Sequence, residues 1–126
     1  MIAYDELSPD SRVWIYQANR ELTEAESAKL RPALQQFARQ WVSHNQQLKA
    51  HAELHHQRFI VLMVDETQAG ASGCSIDASV HFIKSIEQHF GLQLFDRMTF
   101  AYRDPEGNLQ FVPSADFGEL YKAGTI

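Results

Sequence analysis

The sequence predicts an α+β fold of the ferredoxin-like, split βαβ kind, ordered β-α-β-β-α-β with a C-terminal β-α extension. Two observations predict it. Strand-like apolar runs and helical periodicities alternate in that order along the chain. The first and third strands, the two most continuously apolar, are also those that this fold places at the sheet centre. A sheet with helices on one face leaves the other to be covered, and either face-to-face dimerisation or the C-terminal segment folding across would do so.

Met1 to Ser11 mixes Asp, Glu, Ser and Pro without periodicity and reads as a flexible arm, leaving residues 12–126 as a single domain. Val13-Trp14-Ile15-Tyr16 is β-branched and aromatic and makes the first strand. Thr23 and Glu26 form a capping box that starts a helix, continued at three-to-four spacing by Leu30, Leu34, Phe37, Ala38, Trp41 and Val42. Pro32 inside that pattern predicts a kink or break near Arg31. Leu48 to Gln57 alternates apolar with polar residues, and Phe59 to Val64 follows as an apolar run, so the two predict a hairpin about His56 to Arg58. Asp65 to Gly73 is loop, and Ser75 to Phe90 is a helix closed by Gly91. Met98 to Tyr102 is a further strand. Asp104-Pro105-Glu106-Gly107 turns into Leu109 to Val112, and Ser114 to Ala123 closes the chain as a short helix.

Composition narrows the function. At 126 residues the chain can bury one sizeable core without staples. Its single cysteine makes no internal disulfide, and it carries no long apolar run or signal-like start, so the expected address is the cytoplasm. A net charge of -5 argues against nucleic acid or an anionic membrane as partner, since both require a positive field.

The most distinctive stretch joins the third strand to the second helix: Asp65-Glu66-Thr67-Gln68-Ala69-Gly70-Ala71-Ser72-Gly73-Cys74-Ser75-Ile76-Asp77. Two glycines permit close approach of the backbone, and the free N–H groups of a helix start, with its dipole, suit an anion. Read structurally, the same stretch is a tight connection capped by Ser75 and Asp77. Four segments of the chain carry a resemblance: Ser11 to Gln17; Arg58 to Ile60 with Val64 to Glu66; Gly70 to Ile83; and Phe95 to Met98 with Ala101 to Asp104. Over about residues 11 to 104 they resemble a family of small bacterial proteins that often carry the label "ABC transporter ATPase". The residues do not support that activity: Gly70-Ala71-Ser72-Gly73-Cys74-Ser75 has the wrong glycine spacing for a phosphate loop and no lysine.

Cys74 stands at the first turn of the second helix, where the dipole favours an anion such as a thiolate. At 100 degrees per residue it shares the polar arc with Asp77, His81, Lys84 and Gln88, opposite Ser75, Ile76, Ser79, Val80, Ile83, Ile86 and Phe90. His81 is about 10 Å along the helix and too far to act as its base, which leaves Asp65 or Glu66. Asp77 nearby opposes a thiolate. The ferredoxin-like reading also places the end of strand one and the starts of strands two and four beside the loop. Gln17, Asn19, Arg20, Lys49 and Arg97 would then gather there, either as a positive pocket or paired with Asp65, Glu66 and Asp77.

Other constellations are weaker. His51, Glu53 and His55 share a strand face, yet the outer pair is about 13 Å apart and cannot share one ion, so neither metal nor other cofactor is expected. Trp14, Tyr16 and Tyr102 lack the basic signature of an RNA platform and fit core or dimer packing.

Two functions fit, one catalytic or ligand-binding and one not. The first is a pocket for a small polar or anionic ligand, with Cys74, Asp65 and Glu66 as catalytic candidates and Gly70, Ser72, Gly73, Ser75, Asp77, Arg20 and Arg97 as binding candidates. The second is a protein-interaction module that uses the same loop and an aromatic sheet face. In both, a homodimer is the expected state.

Overall fold

The structure is a computed structural model that describes residues 1–96, 98–113 and 116. Among the described residues it is mixed α+β, with two α-helices and antiparallel sheets, and the chain divides into two compact units, Met1–Phe95 and Asp96–Ile126. Among the described residues no helix is long and apolar enough to cross a membrane.

In the first unit, β1 (Arg12–Gln17) is followed by α1 (Glu24–Gln40). A small hairpin of β2 (Val42–Ser43) and β3 (Gln46–Gln47) comes next, and then β4 (Lys49–His55), β5 (Phe59–Asp65) and α2 (Gly73–Phe90). The main sheet has the order β1-β5-β4, antiparallel throughout. β5 is central, as its continuous apolar run predicts. β1 is at an edge, which departs from the ferredoxin-like order. The strand expected to flank it, β6 (Thr99–Arg103), pairs instead with β7 (Leu109–Pro113) in a separate two-stranded sheet. Their turn is the one that Asp104 to Gly107 predicts: the Gly107 N–H donates to Asp104 O, and Gly107 takes a φ of 86°. The predicted closing helix, Ser114 to Ala123, lies outside the described residues apart from Asp116.

Helix α1 begins on the predicted capping box. The Thr23 hydroxyl accepts from the Glu26 N–H, and the Glu26 carboxylate accepts from the Thr23 N–H. The helix does not break at Pro32 but runs unbroken to Gln40. Pro32 is exposed, on the solvent side where helix bonds already lengthen toward water, while Leu30, Leu34 and Ala38 hold the other side in the core. The β2–β3 hairpin, absent from the sequence reading, turns on His44 and Asn45, both at positive φ. The hairpin between β4 and β5 turns on His56 and Gln57, each at φ 54°, without the usual glycine.

Register sorts the side chains. Trp14, Leu62 and Ala52 align across the sheet on the helix side, as do Tyr16, Ile60 and Leu54. They meet Leu30, Leu34, Trp41 and Ile83 in the core, where the Trp14 and Trp41 rings pack tilted at 60° with centroids 5.6 Å apart. The other face carries Val13-Met63-His51 and Ile15-Val61-Glu53. Part of it is covered by residues 1–11, the segment read as a loose arm. The Ile2 N–H donates to Ala50 O at 3.1 Å, the Ser8 N–H donates to Asp65 Oδ2 at 2.9 Å, and Tyr4 stands edge-on to His51.

Candidate functional site

The β5-to-α2 loop is held by its own side chains. Asp65, at the end of β5, is only 2% exposed. Its Oδ1 accepts from the Thr67 hydroxyl at 2.7 Å and the Thr67 N–H at 3.0 Å, while Oδ2 accepts from Ser8 and lies 3.5 Å from Lys49 Nζ. These donors, the Thr67 hydroxyl foremost, hold the carboxyl well below the usual carboxylate range against the opposing effect of burial. With its lone pairs so occupied, Asp65 anchors the loop and the N-terminal segment and is poorly placed to take a proton. Glu66 Oε2 accepts from the Ala71 N–H at 2.9 Å. A Cβ at Gly70 would lie 3.1 Å from the same oxygen, so glycine there lets the loop close on Glu66. At Gly73 a Cβ would meet nothing within 4 Å.

The helix cap is one turn earlier than the sequence suggests. Ser72 is the N-cap: its hydroxyl accepts from the Ser75 N–H, and the Ser75 hydroxyl accepts from the Ser72 N–H at 2.7 Å. Asp77 takes no part in it. Trp41 Nε1 donates to Ser75 O at 2.8 Å, fixing this end of α2 against the end of α1. Among the described residues the Gly73 and Cys74 amides have no acceptor, and Cys74 is exposed with no side-chain partner.

The cations do not gather as expected. β1 and β5 are antiparallel, so β1 ends beside Phe59, at the far end of the sheet from the loop. Arg20 is there, bound through two 2.8 Å contacts to Glu26 and donating to Phe90 O at the C-terminal end of α2. The loop therefore loses Arg20 as a ligand residue, and with it Gln17 and Asn19. Strand direction carries that information, and reading it correctly from the hairpin and crossover order would have excluded all three. Lys49 does reach Asp65, while Arg97 lies outside the described residues. The structure thus unites Asp65 with Lys49, Glu66 with Gly70, and Ser72 with Ser75, and among the described residues none of these side chains hydrogen-bonds the Cys74 thiol.

Three clefts of about 360, 340 and 190 Å³ lie between α1 and α2, beneath residues 4–11, and between Met1, α1 and β4. None of the three is lined by residues 66–77. Among the described residues no group of three His, Cys, Asp or Glu side chains is arranged to hold a metal ion.

A feature the sequence reading passed over is the outer edge of β1. The Ala18 N–H donates to Arg58 O, continuing the β1–β5 ladder. Antiparallel bonding alternates by residue, so Trp14 and Tyr16 bond to β5, whereas the N–H and C=O groups of Val13 and Ile15 point away from it. Val13 and Ile15 are 47% and 66% exposed. The signal present in the sequence was the alternation itself, with aromatics at even positions and aliphatics at odd ones. Against known proteins, the chain matches no family, no curated protein and no solved structure.

Proposed function

We propose that this chain is a non-enzymatic protein-interaction domain that pairs with a second copy of itself along β1. The observation that carries this reading is the edge at Val13 and Ile15, where exposed aliphatic side chains coincide with backbone groups that have no partner among the described residues. Natural edge strands are guarded by lysine, proline, bulges or inward charges; β1 has one charge, Arg12 at its start over the Trp14 ring, and Val13 to Gln17 has none of these devices. The strand is self-complementary. Set antiparallel to its own copy about Trp14, it places Val13 opposite Ile15 of the second strand, with odd residues bonding to odd and no like charges opposed. The place beside β1 is where a ferredoxin-like sheet takes its fourth strand, and in this reading the copy supplies it. The surface is aliphatic; Trp14 and Tyr16, the aromatics of the same strand, pack on the helix side.

This reading is preferred to a pocket at the loop because the loop's carboxylates are engaged within it, while three clefts among the described residues are lined by other segments. The single exposed thiol is consistent with a reducing, cytoplasmic setting. Sedimentation of the wild type and of Ile15→Lys tests the proposal. The wild type is expected to show concentration-dependent dimers and the variant a monomer with folding stability unchanged within about 0.5 kcal/mol, as for an exposed position. Dimers of equal strength in both, or monomers in both, would reject it.

A further inference from the structure

His51 is only 8% exposed, and both of its ring nitrogens face oxygens that can only accept. Nδ1 lies 2.9 Å from Ile2 O, and Nε2 lies 3.2 Å from Glu53 Oε2. The other Glu53 oxygen is taken by His55 Nε2. A neutral imidazole carries one N–H and can serve one of these acceptors, while the protonated ring serves both. Ile2 belongs to the segment that covers the outer edge of β4: its N–H donates to Ala50 O, and the Ala52 N–H donates to Met1 Sδ at 3.4 Å.

We propose that a proton on His51 clasps Met1–Ile2 to the edge of β4, and that the segment is released as the proton leaves. This inference is independent of the pairing proposed for β1. Other groups set its surroundings. On β4 these are Glu53, His55 and Lys49, the last paired with Asp65, and His56 in the following turn faces His55. From the N-terminal segment come Tyr4, edge-on to the ring, and Asp5 beside it in sequence. From α1 comes Arg31, which shares the 190 Å³ cleft with His51 and Glu53 and donates to Leu54 O. From β5 the opposite residue is the uncharged Met63. Glu53 is the acceptor that matters most. Burial pushes its carboxyl up, but the bonds from His51 and His55 outweigh that and leave it below its ordinary value. The protonated ring bonds both acceptors, and the clasp loses a charge-assisted bond when the ring loses its proton. Release uncovers the Ala50 carbonyl and Ala52 amide, a second edge open to pairing.

Amide hydrogen exchange on the full chain tests this. Protection at Ile2 and Ala52, corrected for the intrinsic rate, is expected to fall about tenfold between about pH 5.5 and about pH 8, the ratio separating a charge-assisted from a neutral bond. His51→Gln, whose neutral amide has a single donor nitrogen and gains no charge, is expected to show no such fall, and His55→Gln is expected to retain it. An identical fall in His51→Gln would overturn the proposal. Ring ¹⁵N shifts of the wild type give a second reading that needs no variant. Hydrogens on both His51 nitrogens at about pH 5.5 support the clasp, and a bare Nε2 at that pH with Ile2 still protected would overturn it. Zinc ions restoring protection at about pH 8 would also overturn it, placing an ion where the proton is proposed.

Discussion

At the scale of single residues, the chemistry that looked catalytic is mostly spent on holding the chain together. Asp65 is the clearest case, because four donors converge on it from Thr67, Ser8 and Lys49. Asp65→Asn keeps the shape but turns a donor toward donors, so its urea midpoint at neutral pH is expected to fall below that of the wild type. The folded carboxyl titrates below its ordinary value. Its contribution is therefore present above the unfolded value of about 3.9 and is lost as pH falls further. The gap between the two midpoints should close in acid, and a gap independent of pH would contradict the account. The position of Cys74 on an exposed helix face was legible, since the polar arc follows from spacing alone. The partners of Asp65 were not, because Ser8 is 57 residues away and composition marks its segment as loose.

At the scale of elements, local signals held where one short-range interaction decides the outcome. The Thr23–Glu26 box starts α1, and Gly91 ends α2 in the left-handed conformation, as the sequence implies. Pro32 shows the limit of such reading. Its local cost is real, but Leu30, Leu34 and Ala38 anchor the helix on both sides of it in the core. The penalty is thus carried within an unbroken helix, and Pro32→Ala should raise stability by about 1–3 kcal/mol in chemical denaturation. An unchanged or lower midpoint would show that the helix has relaxed around the proline. The β2–β3 hairpin was missed for a related reason. His44 and Asn45 at positive φ form a turn without glycine, and two-residue strands leave no periodicity to detect.

At the scale of the whole molecule, the sequence conveys the number and order of the larger elements better than their pairing. β5 is central because its run is apolar on both faces, a property written in six consecutive residues. The partner of β6 is not written that way: Thr99–Arg103 suits a sheet edge or a hairpin equally, and the strong turn at Asp104 to Gly107 decides for β7. Among the described residues the main sheet has three strands and two edges, one covered by Met1–Ile2 and the other formed by β1. Hydrogen exchange of the β1 amides at low and high protein concentration tests the central claim most directly. Trp14 and Tyr16, bonded to β5, are expected to be protected at both concentrations, while Val13 and Ile15 exchange rapidly when dilute and become protected when concentrated. Rapid exchange of Val13 and Ile15 at every concentration would contradict pairing of the strand with its own copy.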